Sequence, residues 1–223
     1  MYLIGGAMQK ECFIFGAGDY GETRLPKPLT GFIIAADGGF LFLRKNKIKP
    51  DLLVGDFDSM EMAEDEYLPP KERIIVHPPE KNDTDMMLAV KEGFERGYHT
   101  FYLYGGVGGR FDHTFANIQT LSYIVLHGGR GFLVGNHEIM TVVHEGTFTI
   151  PAKWQQGQYI SVFCLGDEAE GVDLINLKYE LANANLTKDF PLGTSNEFVG
   201  KDAVIRVQKG MLLVVWQMSG DIE

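Results

Sequence analysis

Between Cys12 and Val134, short runs rich in β-branched and aromatic residues alternate with segments of helical periodicity. This alternation narrows the possible folds more than any other feature of the chain. The predicted strands are Cys12–Phe15, Phe32–Ala35, Leu52–Val54, Arg73–Val76, Thr100–Tyr104 and Gly131–Val134. Helices are predicted over Thr84–Gly97, where Met87, Val90 and Phe94 share a face, and over His113–Gly128, where Phe115, Ile118, Leu121 and Val125 do. Strands separated by helices are joined by crossovers, so the sheet is mainly parallel. From Ile139 the texture changes. Ile139–Val143, Thr147–Ile150, Tyr159–Cys164, Val172–Asn176, Ala203–Val207 and Met211–Gln217 read as strands, with turn links such as Glu145-Gly146 and Lys209-Gly210 and no amphipathic helix. The expectation is an α/β domain over residues 1–144 and an all-β sandwich or barrel-like domain over 145–223. A chain of 223 residues can bury cores for both.

Charge limits the partners. The formal net charge is -10, from 20 Lys and Arg against 30 Asp and Glu, which argues against a nucleic-acid binder. An acidic protein still binds nucleotides where it holds a cation or a local basic pocket. Cys12 and Cys164 lie in apolar runs without metal-ligand spacing and read as two buried, reduced thiols. The N-terminal residues lack the pattern of a signal peptide, and no segment has the length of a membrane-spanning helix. The expected location is the cytoplasm.

Gly16-Ala17-Gly18-Asp19-Tyr20-Gly21 follows the first strand and matches G-x-G-x-x-G. A dinucleotide turn of that pattern opens a helix after its third glycine. Here Glu22 to Pro28 follow, and Pro26 and Pro28 oppose a helix. The expected ribose-binding acid is at best Asp37. The nicotinamide reading therefore fails, but the turn lies at the carboxyl end of a strand, with Asp19 a neighbour of whatever binds there.

The aspartates mark that edge. Asp37-Gly38-Gly39 follows the second strand, Gly55-Asp56-Phe57-Asp58-Ser59 the third, Lys81-Asn82-Asp83-Thr84-Asp85 the fourth, and Gly105 to His113 the fifth. In open α/β sheets all these ends face one side, where ligands bind. Asp37, Thr84 and Asp112 taken singly are also good helix starters. Gathered carboxylates repel unless a cation lies among them. Asp56, Asp58 and Asp85, without a His or Cys cluster, suit Mg²⁺. The loop from Gly105 to Arg110 offers close backbone approach and a guanidinium fork for phosphates, and Lys81 a second contact. This chemistry points to Mg²⁺-dependent phosphoryl or pyrophosphoryl transfer from a nucleotide. No P-loop sequence is present.

These motifs, in order and with Thr194-Ser195-Asn196-Glu197-Phe198 in the β-rich part, resemble the thiamine pyrophosphokinase family from about Ala35 to the C-terminus. The resemblance implies a homodimer of subunits with a Rossmann-like α/β catalytic domain and a C-terminal β-sandwich that binds thiamine. The active sites would lie between subunits. ATP and thiamine would be substrates, Mg²⁺ the cofactor, and thiamine diphosphate and AMP the products. It implies that Asp56, Asp58 and Asp85 hold Mg²⁺, and that Asp37, Thr84, Arg110 and Asp112 contact ATP. Ser195 and Asn196 would hold the thiamine pyrimidine. Asp58, Asp85, Arg110 and Asp112 are the catalytic candidates. The family usually has Asp where this chain has Asn82, which loses a charge; Asp83 is placed to compensate or to face solvent. Tyr179 and Phe198 are candidates for an apolar slot or for the β core. His113 reads as a local hydrogen-bonding residue at the start of a helix.

Three other readings compete. A non-catalytic thiamine- or nucleotide-binding module would need no metal carboxylates, so the aspartate cluster counts against it. A calcineurin-type metallophosphoesterase would use Gly55-Asp56 and Gly135-Asn136-His137-Glu138, but the histidine motifs that complete such a site are missing. A pyrophosphokinase for another heteroaromatic alcohol, such as a pterin, shares the ATP motifs. Asp58→Asn and Asp85→Asn should each abolish most AMP formation from ATP, Mg²⁺ and thiamine. Near-normal AMP formation in either would refute the metal assignment.

Overall fold

The computed structural model describes residues 10–21, 23, 25–26, 29–56, 66–77 and 82–217. The chain divides into two compact units, Met1–Gly135 and Asn136–Glu223.

In the first unit the strands are β1 (Glu11–Phe15), β2 (Phe32–Ala36), β3 (Leu52–Gly55), β4 (Ile74–Val76), β5 (Thr100–Tyr104) and β6 (Arg130–Val134). The helices are α1 (Gly39–Lys45), α2 (Asp85–Glu95) and α3 (Phe111–Leu126). The strands are all parallel, in the order β6-β5-β1-β2-β3-β4. Helix α1 is too short for its periodicity to show in the sequence, and Arg44 and Lys45 in its last turn suit its negative end.

The parallel register aligns side chains of like kind. Phe13 pairs with Tyr102, and Tyr102 with Phe132, across β1, β5 and β6. Their rings stack at centroid distances of 5.1 and 5.3 Å. Phe15 stacks on Tyr104 one step along, at 5.1 Å. On the opposite face, Leu121 and Ile124 of α3 pack against Gly131 of β6. Burying a side chain of this size is worth about 1.5–3 kcal/mol, against roughly 0–1 kcal/mol for an exposed ion pair. The sheet faces, not the surface charges, hold this unit together.

The strand order has a consequence for ligands. The chain lays β2, β3 and β4 outward on one side of β1, then returns to place β5 on the other side. The direction reverses between β1 and β5. Loops leaving the carboxyl ends of those two strands diverge from such a point and flank a crevice.

One turn at this edge is packed to its limit. Asp37 adopts φ 47° and its N–H donates to the carbonyl of Val54 at 2.8 Å. The turn drives Gly39 against the end of β1, where a Cβ would lie 1.8 Å from the Phe15 carbonyl oxygen. Only glycine fits there.

The second unit is all β. Its strands are β7 (Glu138–Ile150), β8 (Tyr159–Cys164), β9 (Glu168–Ile175), β10 (Leu181–Thr187), β11 (Gly193–Glu197) and β12 (Ala203–Gln217). β12 is the spine and pairs antiparallel with β7 along its length. Its first half also pairs with β9, which continues to β10; its second half pairs with β8, which continues to β11. Ile150, Ile160, Val162, Leu174, Ile205, Leu212, Val214 and Trp216 are buried between these pairings.

Three expectations need correction. Glu145-Gly146 and Lys209-Gly210 are not links between strands. They are irregularities inside β7 and β12, with Glu145 at φ 41°, Gly210 at φ 95° and a register shift between Val207 and Met211. A bulge uses the same turn residues as a hairpin without ending the pairing. Because β7 runs unbroken from Glu138, the division falls at 135/136 rather than 144/145. Strands β10 and β11 went unread because LANANLT and GTSNE lack β-favouring residues and clean alternation. Of the two cysteines, both unpaired, Cys12 is buried as expected and burial pushes its thiol up, whereas Cys164 is half-buried. No described helix is long and apolar enough to cross a membrane.

Gly39→Ala should cost about 2–4 kcal/mol of unfolding free energy, measured by urea denaturation, because its Cβ must displace backbone rather than a mobile side chain.

Candidate active site

Each functional side chain of the first unit is delivered by the end of a strand or the start of a helix. Asp37 follows β2 and Asp56 follows β3. Asp85 is the first residue of α2, after β4, and Arg110 immediately precedes α3, after β5. The strands are parallel, so all four share the carboxyl edge. Asp58 and Lys81 lie outside the described residues.

The helix-starting alternative is true for only one of the three residues. Thr84 caps α2: its Oγ1 accepts from the Met87 N–H at 3.2 Å. Asp85 in the first turn faces the positive end of the helix. Asp37 is not a cap, since the residue capping α1 is Gly38, without a side-chain cap bond. Asp112 lies inside the first turn of α3, and its Oδ1 accepts from the next residue's N–H at 3.0 Å. His113 is exposed on the same turn.

Arg110 and Asp112 form a fork-to-fork pair. Nε donates to Oδ1 at 3.1 Å and Nη2 to Oδ2 at 2.5 Å. The Arg110 hydrogen bond holds the Asp112 carboxyl below the usual carboxylate range, and Asp112 raises Arg110 in turn. The pair occupies the Nε and Nη2 edge of the guanidinium and leaves Nη1 outside it, a donor whose geometry suits a phosphate oxygen. A carboxylate of lowered basicity is a poor general base near neutral pH. Asp112 therefore orients Arg110 better than it would accept a proton.

Asp83 does not stand in for the charge lost at Asn82. Lys91, two turns into α2, donates to it at 2.7 Å. Among the described residues no three His, Cys, Asp or Glu side chains are grouped closely enough to hold a metal ion. Asp56 and Asp85 supply hard carboxylate oxygens from neighbouring parts of the edge. That donor chemistry fits Mg²⁺, and completing the set calls on Asp58.

In the second unit Ser195 and Asn196 lie on β11 with different roles. Ser195 is exposed, at φ 55°, and its N–H is held by Ser161 Oγ at 3.0 Å. Asn196 is buried. Its Oδ1 accepts from the N–H groups of Tyr179 and Glu197, both at 2.9 Å, and its Nδ2 donates to the Tyr179 carbonyl at 2.7 Å. Three of the four hydrogen bonds available to an asparagine amide are thus internal. Asn196 staples the Tyr179 backbone. The Tyr179 ring is 58% exposed, so it is not a core residue, while Phe198 is half-buried. Lys178 Nζ lies 5.4 Å from the Tyr179 ring centroid and 2.7 Å from Glu197 Oε1.

Tyr20 has no counterpart among the residues singled out from sequence. It occupies a variable position of the G-x-G-x-x-G pattern, and only its surroundings mark it. Its ring stacks on Phe42 at 3.6 Å and lies over Gly105. Its hydroxyl donates to the Gly16 carbonyl at 2.6 Å. No described residue after Gly21 and before β2 is helical, as the prolines required.

A parallel sheet with its polar groups along the carboxyl edge, joined in sequence to an all-β unit, defines an α/β protein built to bind at that edge. Residues 29–130 match the model for the thiamin pyrophosphokinase catalytic domain, and residues 147–212 match the model for the thiamin pyrophosphokinase vitamin B1 binding domain. These spans take in most of the chain, and it belongs to the thiamine pyrophosphokinase family. A thiamine pyrophosphokinase of Bacillus subtilis is 28% identical over 202 residues, spanning 87% of this chain and 94% of that one. The crystal structure of the Bacillus subtilis enzyme shares the fold, with TM-score 0.79 and 23% identity over 94% of this chain and 100% of that one. A family protein from Enterococcus faecalis superposes with TM-score 0.77 at 26% identity, over 95% and 99% of the two chains.

Replacing Arg110 by Gln should return the Asp112 carboxyl towards its ordinary range. An NMR pH titration checks this. In the native chain the pair is intact above the depressed range and is lost as pH falls through it.

Proposed function

We infer that this chain transfers the pyrophosphoryl group of ATP to the hydroxyl of thiamine, giving thiamine diphosphate and AMP. The observation that carries the reading is the succession, in one chain, of a segment matching the catalytic domain and one matching the vitamin B1 binding domain. The pterin-type acceptor and the metallophosphoesterase are not favoured by any of the relatives. His137 is an exposed turn residue between β6 and β7, as an uninvolved residue would be.

In this reading the thiamine hydroxyl oxygen attacks the β-phosphorus of ATP. The bond from that phosphorus to the α-phosphate bridging oxygen breaks, AMP leaves, and the hydroxyl proton passes to solvent or a base. Such transfer depends on in-line placement and on neutralising spread negative charge. We assign Asp37, Thr84, Arg110 and Asp112 to ATP, with Arg110 taking phosphate oxygens through its Nη1 side and Lys81 a second contact. Asp56, Asp58 and Asp85 would hold Mg²⁺, which when bound supplies charge neutralisation on the triphosphate. Asp112, committed to Arg110, and Asp85, assigned to Mg²⁺, are not available as the base in this reading.

For the acceptor we assign Ser195, the remaining N–H of Asn196 and the exposed face of Tyr179, on a β unit we take to be a sandwich. An aromatic ring held by its backbone makes a platform for the flat rings of thiamine. The family likeness further suggests a homodimer with sites shared between subunits, and a cytoplasmic location.

AMP release from ATP and Mg²⁺ should be fast with thiamine and near background with a hydroxymethyl pterin or with no acceptor. Chromatography of the products checks it. AMP release with the pterin alone would replace thiamine as acceptor, and phosphate release without acceptor would revive the phosphoesterase.

A further inference from the structure

The turn at Gly16–Gly21 lies outside the span that matches the catalytic-domain model, which begins at residue 29. It nevertheless meets the turn after β2 and the loop after β5. The Gly16 N–H donates to the Tyr104 carbonyl at 2.8 Å and the Gly18 N–H to the Gly105 carbonyl at 2.9 Å. The second contact is so close that a Cβ on Gly18 would lie 2.3 Å from the Gly105 oxygen. Ala17 meets Gly38 in the turn after β2, and Asp19 meets Gly108, while the Asp19 carboxylate is turned back to accept from the Gly21 N–H at 2.9 Å.

Tyr20 closes this arrangement. Its ring touches Gly105 of the loop after β5 and Phe42 of the helix after β2, and its hydroxyl ties down its own turn. The buried Asn117 of α3 supports the same loop from another side, its Nδ2 donating to the Gly106 carbonyl at 2.8 Å. Residues 105 and 106 are therefore gripped by two side chains and a backbone bond. The following Gly108 and Gly109, at φ 86° and 79°, carry no side chain to define their course before Arg110. The grip fixes where this loop leaves β5, while Asp112 holds the guanidinium at its far end.

We propose that Tyr20 is a positioning residue for ATP: by closing over Gly105 against the turn after β1, with Phe42 of helix α1 stacked on its ring, it holds the Gly105–Arg110 loop and its guanidinium in the geometry that receives the triphosphate. This rests on the ATP assignment made above and extends it to a segment that the catalytic-domain model does not span. Burial pushes the Tyr20 phenol up, so its hydroxyl stays a donor to Gly16 throughout the working pH range. Tyr20 touches no reacting atom in this account. Its removal should weaken ATP and leave thiamine alone, which a general loss of stability would not do.

The test uses the full chain with Tyr20→Phe and Tyr20→Ala, each checked for wild-type secondary structure by circular dichroism. Tyr20→Phe keeps the ring and loses one hydrogen bond, so KM for ATP should rise about threefold. Tyr20→Ala frees the loop, and KM for ATP should rise about tenfold or more, with KM for thiamine within about twofold of wild type. An unchanged KM for ATP in a folded Tyr20→Ala protein overturns the proposal, as does a parallel rise in both KM values. If Tyr20→Ala does not fold, Tyr20→Phe decides by the same criteria. Titration of methylanthraniloyl-labelled ATP without thiamine separates this idea from the functional reading. If wild type forms no AMP from thiamine, the acceptor assignment fails, yet weaker binding of the labelled nucleotide by the variants still supports the clamp and equal binding overturns it.

Discussion

Three chain turns meet within van der Waals distance at the end of β1, and the arrangement of the first unit depends on that meeting. Gly39 lies on the Phe15 carbonyl, Gly18 on the Gly105 carbonyl, and Ala17 against Gly38. Backbone approach this close excludes side chains and leaves N–H and carbonyl groups at the surface of the edge. It also fixes the origins of α1 and of the loop ahead of α3 relative to β1. A phosphate chain needs such a surface, since oxygen atoms of a polyanion can approach peptide N–H groups only where no Cβ intervenes.

The two units solve opposite problems. The parallel sheet gathers polar groups from strands far apart in sequence to one edge, because every parallel strand ends on the same side. The antiparallel unit has no such common edge, and uses a single long spine, β12, to hold two wings. Asn196 shows a device of the second unit: a buried amide fastens one strand to the neighbouring loop, leaving Tyr179 exposed although it lies next to core strands. Electrostatics follows the same division. Arg110 and Asp112 satisfy each other at the surface, and Asp83 is taken by Lys91, so the chain prearranges some charges and spends others on itself.

Much of the first unit was legible because parallel strands buried on both faces are short, continuous apolar runs. Thr100–Tyr104 was read to the residue for that reason, and Asp37, Asp56, Asp85 and Arg110 were placed by their position after such runs. The second unit was less legible. β10 and β11 hold their pairing by position against stronger neighbours rather than by their own propensity. The turn residues at Glu145-Gly146 and Lys209-Gly210 are the same whether a strand ends or bulges, and only the partner strand decides. The separate duties of Ser195 and Asn196, adjacent in sequence, could not be read at all, since alternate residues of a strand face opposite ways and only packing says which face is buried.

The sequence by itself determined the order of strands and helices, the placing of aspartates and glycines after strand ends, and the exclusion of a dinucleotide helix by Pro26 and Pro28. Those follow from local stereochemistry and periodicity, which a chain carries wherever it goes. The tertiary structure alone decided which loops touch. It put the turn after β1 against the loop after β5 because the chain reverses direction there, and so gave Tyr20, an unmarked residue in a misleading motif, a place at the root of the loop that leads to Arg110. It also turned Asp112 towards Arg110, and Asn196 towards Tyr179. Contacts between residues distant in sequence arise from the path of the backbone, and no local pattern encodes that path.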